Sequence, residues 1–235
     1  MELNFEQAIK VIVKAYFGER KINILEAGCA EGGDTREFCH LLPNATIYGF
    51  EPDPRLYEEI QQKTATYNNL KFFDLALSDT VGETSFHLAN REVGNDVTPW
   101  GSSSLLEPKL HKEFHEDIKF TSSITVKTTD IDSWAKSNNV NSIEFMWLDL
   151  QGAEPLVLKN CNILSTTSMV FSEVSLIELY DGCVLYKDYA KMMDEKGFVP
   201  IIEQLPWEDA GNILFVKANE FEKLFECLKK LGLVK

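Results

Sequence analysis

Three acidic residues stand directly after apolar runs. Glu51 follows Thr46-Ile47-Tyr48-Gly49-Phe50, Asp149 follows Ile143-Glu144-Phe145-Met146-Trp147-Leu148, and Glu173 follows Ser168-Met169-Val170-Phe171-Ser172. A carboxylate that closes a buried strand can accept hydroxyl hydrogens, ligate a hard cation or take a proton during a reaction. Asp149 could equally be only the N-cap of the helix after it. Glu173 is harder to dismiss, because an acid directly after a buried run needs water or a partner. With Glu154 one turn into the intervening helix, Asp149 and Glu173 form a candidate catalytic group of two possible kinds. They could hold Mg²⁺ against an acceptor hydroxyl, or one could act directly as general base, its pKa raised by the other's charge. Val174 and Ser175 occupy the place where an Asp-Asn ligand pair would complete the metal site, which favours the metal-free alternative. His111 and His115 share helical i, i+4 spacing, but Lys112 stands where a His-Glu-x-x-His motif needs its Glu. They read as solvent-facing histidines on a short helix, and as candidate acceptor contacts.

The elements that must position these groups begin with the stretch from Ile22 to Glu51. Ile22-Asn23-Ile24-Leu25 reads as a short buried strand that enters the small-residue turn Glu26-Ala27-Gly28-Cys29-Ala30-Glu31-Gly32-Gly33. Asp34-Thr35-Arg36-Glu37 has the capping-box pattern, so a helix is predicted to begin near Thr35. Strand, glycine turn, helix and acid-tipped strand form a nucleoside-binding layout in which the acid takes the ribose hydroxyls. The turn departs from the dinucleotide fingerprint, with Ala30 where the second glycine would fall and Glu31 inside the loop. A pyrophosphate would be repelled there. S-adenosylmethionine, which has no phosphate and carries an amino group and a sulfonium, suits an acidic turn better. A tight strand-to-helix connection in another α/β protein is the alternative, and the acid at the second strand tip argues against it.

Composition bounds the partners. The chain has 235 residues, 44% of them hydrophobic, enough for one full core and a single domain over 1–235. Its formal charge of −14 disfavours nucleic acid, whose affinity comes mainly from cations meeting phosphates. Five scattered cysteines without metal-ligand spacing point to reduced thiols and a cytoplasmic location. There is no membrane-spanning run and no secretory signal.

Along the chain, an amphipathic helix is predicted from about Asn4 to Phe17, and Asp53-Pro54 caps another. Leu70-Lys71-Phe72-Phe73 and Leu75-Ala76-Leu77-Ser78-Asp79 read as a strand and a small-residue turn that could lie beside an adenine or be a plain connection. Residues 91–122 break the alternation as a polar insertion, expected to be a mobile lid or acceptor-binding region. Trp100 there offers a flat apolar face on which sugars stack, or it packs on the domain's own core. Alternation resumes with a strand from Ile124 to Thr128 and a helix near Asp130 to Ser137. Near the end, two strands are separated by only Glu203 to Gly211, too short for a parallel crossover, so an antiparallel hairpin is expected before a closing helix.

Several of these segments together resemble the FkbM-type S-adenosylmethionine-dependent methyltransferases. They are Glu26-Ala27-Gly28-Cys29-Ala30-Glu31-Gly32, Phe50-Glu51-Pro52, Leu75-Ala76-Leu77-Ser78-Asp79, Ser102-Ser103-Ser104-Leu105, Val126 to Asp132, and Trp147 to Glu154, in the family's order. The resemblance implies a Rossmann-like class I fold, with a seven-stranded, mostly parallel sheet, an antiparallel C-terminal strand and helices on both faces. It also implies O-methylation of a small neutral acceptor, chiefly a sugar or glycan, or else a secondary metabolite. N-methylation and a catalytically inert nucleoside-binding domain are the alternatives. The cofactor-binding candidates are Glu26, Gly28, Cys29, Ala30, Thr35, Glu51, Pro52, Ala76, Leu77, Ser78, Ser102 and Asp149, while Trp100, Ser103, His111 and His115 are the acceptor candidates. Glu26 is expected near the methionine amino group or in a backbone-satisfying role. The family usually has an acid where this chain has Gln151, so no charge-dependent role carries over there.

Overall fold

The computed structural model describes residues 4–206 and 208–234. Helix α1 (Phe5–Phe17) opens with a capping box: Asn4 accepts from the Gln7 amide and the Gln7 side chain answers. The nucleoside-type unit follows as β1 (Asn23–Ala27), α2 (Gly33–Leu41), β2 (Thr46–Phe50), α3 (Tyr57–Thr64) and β3 (Leu70–Phe73). Then come β4 (Ala76–Leu77), β5 (Gly82–Val93), β6 (Asp96–Pro99), the one-turn α4 (His111–Phe114) and β7 (Ile118–Thr129). The second half runs α5 (Ile131–Ser137), β8 (Phe145–Leu148), α6 (Glu154–Leu158), β9 (Met169–Ser175), α7 (Tyr186–Glu195), β10 (Phe198–Gln204), β11 (Ala210–Lys217) and α8 (Phe221–Lys230).

Seven strands form one sheet in the order β10-β11-β9-β8-β1-β2-β3. The pairs β8–β9, β8–β1, β1–β2 and β2–β3 are parallel, and β11 alone runs against both its neighbours. The hairpin expected from the short 203–211 connection is therefore the β10–β11 pair. Strand alternation splits the core in two. In β8, Phe145 and Trp147 pack under α1, α2 and α8, whereas Met146 and Leu148 pack under α5, α6 and α7. β1 lies between β2 and β8, where the chain reverses its direction of travel across the sheet, and the crevice beyond the strand ends at such a reversal is where open α/β sheets bind ligands.

Two sequence expectations change. The helix α2 starts at Gly33, with Gly32 as a left-handed N-cap making no side-chain bond, so there is no capping box at Asp34. Asp34 and Glu37 instead pair with Lys10 of α1, a buried cation that needs both. The strand over Ile124 to Thr128 is also not part of the main sheet. It is the end of β7, which pairs antiparallel with β5 from Gly82↔Thr128 to Arg91↔Ile118 and joins a four-stranded sheet ordered β4-β7-β5-β6. This sheet has its own apolar cluster of Ala76, Phe86, Leu88 and Val126, backed by Leu105 and Ile124, which favours its separation. Residues 91–122 thus comprise the end of β5, β6, a loop, α4 and the start of β7 rather than a structureless insertion.

Candidate active site

The strand tips of β2, β1 and β8 converge around Gly28. The Gly28 and Cys29 amides both donate to the Phe50 carbonyl, and the Asp149 amide donates to the Ala27 carbonyl at 3.0 Å. Gly28 has φ +84°, and a Cβ there would stand 1.9 Å from the Asp149 carbonyl oxygen. Backbone cannot yield to that contact, so glycine is required where the two strand ends cross. Ala30, also at positive φ, turns its amide onto Glu51 Oε2 at 2.9 Å, and the Asp53 amide takes Oε1 at 2.8 Å. Each carboxylate oxygen therefore keeps a lone pair for a further donor. Burial pushes Glu51 up to about 8, against the two amide bonds.

A cavity opens over these tips. Its floor is Gly28, Ala30, Glu51 and Pro52, its far end is Asp149 with Leu150 and Ala153, and its apolar side includes Phe50, Leu75, Ala76 and Leu77. The second sheet and the loop after it close it with Phe86, Trp100, Gly101, Ser103 and Leu105. Arg55 locks the two sheets together across one edge, binding Asp53 and donating to Asn90 Oδ1 at 2.7 Å and to the Ala89 carbonyl at 3.1 Å. Ser103 accepts from the Ala89 amide at 2.9 Å, and the Arg91 guanidinium covers Trp100 at 4.6 Å from the ring centroid.

Beside Asp149, the side chains of Glu154 and Glu173 bring carboxylate oxygens within 4.8 Å of one another and of Asp149. Asp149 is open to the cavity, Glu173 is half-buried and Glu154 is 1% exposed. Burial raises all three, Asp149 to about 6 and Glu154 to about 8, with Glu173 raised further by the other two charges. Glu154 is committed to the backbone, accepting from the Leu150 amide at 2.6 Å. Between the other two stands Gln151, whose Nε2 lies 2.6 Å from Asp149 Oδ1 and 2.8 Å from Glu173 Oε2. A Mg²⁺ bridging them would need the space and lone pairs that this amide takes, so the residues present do not fit the metal alternative.

The remaining candidates divide by place. Glu26 lies beneath the turn, outside the cavity lining. Thr35 donates to its Oε1 at 2.9 Å, its Oε2 has no partner, and burial raises it to about 8. Cys29 points away, into the small cluster with Leu56 and Ile60. Ser78 is buried, and its amide donates to the Thr129 carbonyl. The Ser102 carbonyl accepts from Tyr180. The histidines are a correction, since they neither line the cavity nor face solvent as a pair. The Lys109 and His111 amides donate to the Leu179 carbonyl, and His111 is buried against Tyr180 and Phe120. Burial lowers its pKa to about 4, and His115 binds Asp209 at 2.8 Å. Sequence reasoning missed Gln151 as a structural partner, along with Tyr180 and Arg55. Only Gln151 carried a signal, as the position that departs from the family's acid.

Strand order, the lone antiparallel strand and the acid-tipped crevice define a class I, Rossmann-like S-adenosylmethionine-dependent methyltransferase. The family model for the methyltransferase FkbM domain matches residues 21–200. The chain is 34% identical over 193 residues to 2-O-methyltransferase NoeI of Sinorhizobium fredii, covering 81% of this chain and 77% of that protein. This chain belongs to the FkbM methyltransferase family. An rRNA methylase from Streptococcus thermophilus superposes with a TM-score of 0.50 at 11% identity, over 92% of this chain and 98% of that one. The Methanococcus jannaschii fibrillarin pre-rRNA processing protein reaches 0.48 at 12% identity, over 85% and 68%. At such identities the likeness of the former concerns the fold alone.

Proposed function

We propose that the chain transfers the methyl group of S-adenosylmethionine to a hydroxyl of a small neutral acceptor, a sugar or glycan, as one catalytic domain acting in the cytoplasm. When bound, the cofactor supplies a methyl group already activated by its sulfonium. Glu51 accepts the ribose hydroxyls with the lone pairs that its two amide partners leave free. Gly28 lets the methionine portion approach the backbone, while Pro52, Ala76 and Leu77 give the adenosine an apolar wall. Asp149 carries the proposal, being an exposed acid that lines the same cavity as Glu51 and Gly28. It takes the hydroxyl proton as the acceptor oxygen bonds to the methyl carbon and the carbon–sulfur bond breaks, while the protein's main task is alignment. Glu173 serves as its partner and Glu154 as its backbone anchor.

An oxygen acceptor is supported by the relative named as a 2-O-methyltransferase. Trp100 at the cavity mouth, 39% exposed, offers the sugar a face, with Ser103 beside it as a polar contact. The charge of −14 supports a neutral acceptor over nucleic acid. The test is transfer of labelled methyl to a panel of saccharides, phenols, polyketides and amines, with the product position read by mass spectrometry. Label on a sugar oxygen is expected. Label on nitrogen alone, or none on any acceptor with cofactor bound, overturns the reading. No helix among the described residues is long and apolar enough to cross a membrane.

A further inference from the structure

Gln151 has φ +53°, in the left-handed region that residues with a Cβ seldom enter, and is followed by Gly152 at +92°. Four bonds hold it there. The Ser104 hydroxyl donates to its carbonyl at 2.9 Å, its amide nitrogen serves Asp149 and Glu173, and its Oε1 accepts from the Tyr180 hydroxyl at 2.8 Å. The same hydroxyl lies 2.8 Å from the Ser102 carbonyl. Both amide hydrogens and the amide oxygen are thus used, on a residue whose strained backbone is fixed by the loop that walls the cavity. Strain kept where a side chain bridges two strand tips points to a functional constraint.

We propose that Gln151 is a positioning residue for methyl transfer: its amide aims the Asp149 carboxylate into the cavity and keeps it a proton acceptor, and Tyr180 ties that alignment to the seating of Ser102–Ser104. The proposal rests on the reading of Asp149 as base. Among the described residues the groups that face Asp149 are acidic: Glu173 and Glu154 within the cluster, the Tyr180 phenol beside them, Glu51 on the same cavity, and Asp34 and Glu6 farther off. Asp34 and Glu6 oppose its ionised form, and its own charge in turn raises Glu51, Glu154 and Glu173. Among the described residues no basic side chain pairs with it, so the amide of Gln151 is the donor that favours the carboxylate. Without that amide the cluster repels itself, and Asp149 retains its proton to higher pH and is free to turn from the cavity.

The experiment compares wild type, Gln151→Met and Tyr180→Phe by cofactor affinity, by kcat against pH, and by carbon-13 titration of labelled Asp carboxyls, with Asp149→Asn identifying the resonance. Gln151→Met should bind cofactor within about threefold of wild type, lose roughly two- to tenfold in kcat at pH 7, and regain most of it near pH 9. The acid limb and the Asp149 resonance should both move up by about one pH unit or more. Tyr180→Phe should move both the same way by less and raise the acceptor KM. A lower kcat with limb and resonance unmoved would mean a merely structural role and overturn the proposal. If Gln151→Met fails to fold, Gln151→Asn, too short to reach both carboxylates, and Tyr180→Phe decide by the same shifts. A wild type that methylates no hydroxyl rejects the proposed function instead, while the carbon-13 titration, which needs no acceptor, still decides for or against Gln151.

Discussion

Glu51 gives the sharpest test of the cofactor site, because its two oxygens are both defined and its burial is nearly complete. Each oxygen already accepts one amide, from Asp53 and Ala30, and the side chain is raised to about 8 by burial, with the Asp53 and Asp149 charges adding to it. Accepting two ribose hydroxyls requires the ionised form. At pH 7 roughly one tenth of such a group is ionised, so deprotonation costs about 1.4 kcal/mol of cofactor affinity that is recovered by pH 9. The Glu51 contribution should therefore improve Kd by about tenfold from pH 7 to pH 9. The cofactor's own amino group titrates in the same range, so the readout is the difference in slope between wild type and Glu51→Gln measured by calorimetry. Glu51→Ala removes charge-assisted bonds of about 1.5–3 kcal/mol, a roughly ten- to hundredfold loss at pH 9 and a smaller one at pH 7. Equal affinity in Glu51→Ala, or a Glu51→Gln slope identical to wild type, would refute the assignment.

Gly28→Ala forces a methyl onto the Asp149 carbonyl at a left-handed φ, costing about 2–5 kcal/mol from strain and overpacking; its melting temperature and cofactor affinity should both drop. Gly182→Ala, at φ +73° with nothing within 4 Å, is the matched control, and equal behaviour of the two would discard the close-approach argument. Trp100→Ala should raise acceptor KM far more than cofactor Kd, and the reverse result rejects Trp100 as an acceptor face. Exhaustive EDTA treatment should leave turnover intact, since Gln151 takes the place of an ion between Asp149 and Glu173; activity restored only by added Mg²⁺ would contradict that. Glu26 and Glu154 rise from 4.5 to about 8 on folding, so the folded state binds more protons between those values. Stability of the cofactor-free protein should accordingly fall from pH 5 to pH 8 and level above it, and a rise across that window in chemical denaturation would contradict the burial of these acids.

What the sequence showed of this site was what local pattern encodes. β1, β2, β8 and β9 are short apolar runs, β2 and β8 with an acid directly after them and β1 and β9 with one near the end, and Gly28 stands at a turn whose geometry only glycine satisfies, so the crevice was legible in the pattern. The expected α2 capping box failed because Asp34 has a stronger partner in the buried Lys10 of α1, 24 positions earlier in the chain, and no local rule sees that pair. β7 was assigned to the main sheet because its period-2 pattern says strand without saying which partner. The choice was made by β5, a long antiparallel match that buries Phe86 and Leu88 against Val126. The His111–His115 spacing was real, but their environment comes from Tyr180 and Asp209, far along the chain. Gln151 was visible only as a departure, since its bonds to Asp149, Glu173 and Tyr180 exist only once two strand tips and a distant loop meet.

The two sheets divide the site's labour in a way that bears on how acceptors are chosen. Glu51 and Asp149 sit just beyond the ends of β2 and β8, and Glu173 lies within β9 level with Asp149, so all three carboxylates are fixed by the main core. The opposite wall, from Phe86 to Leu105, belongs to the smaller sheet and its loop, with a separate apolar cluster and few ties to the first. Those ties are specific ones: Arg55 to Asn90 and Ala89, Ser104 to Gln151, and Tyr180 to Ser102. Substitutions on that wall can thus reshape the acceptor space while leaving the strand-tip geometry in place, provided these ties are kept. The loop proposed to contact the acceptor is also the loop that holds Gln151. Because Ser104 of that loop donates to the Gln151 carbonyl and Gln151 donates to Asp149, a substitution that unseats the loop should reach Asp149 through Gln151.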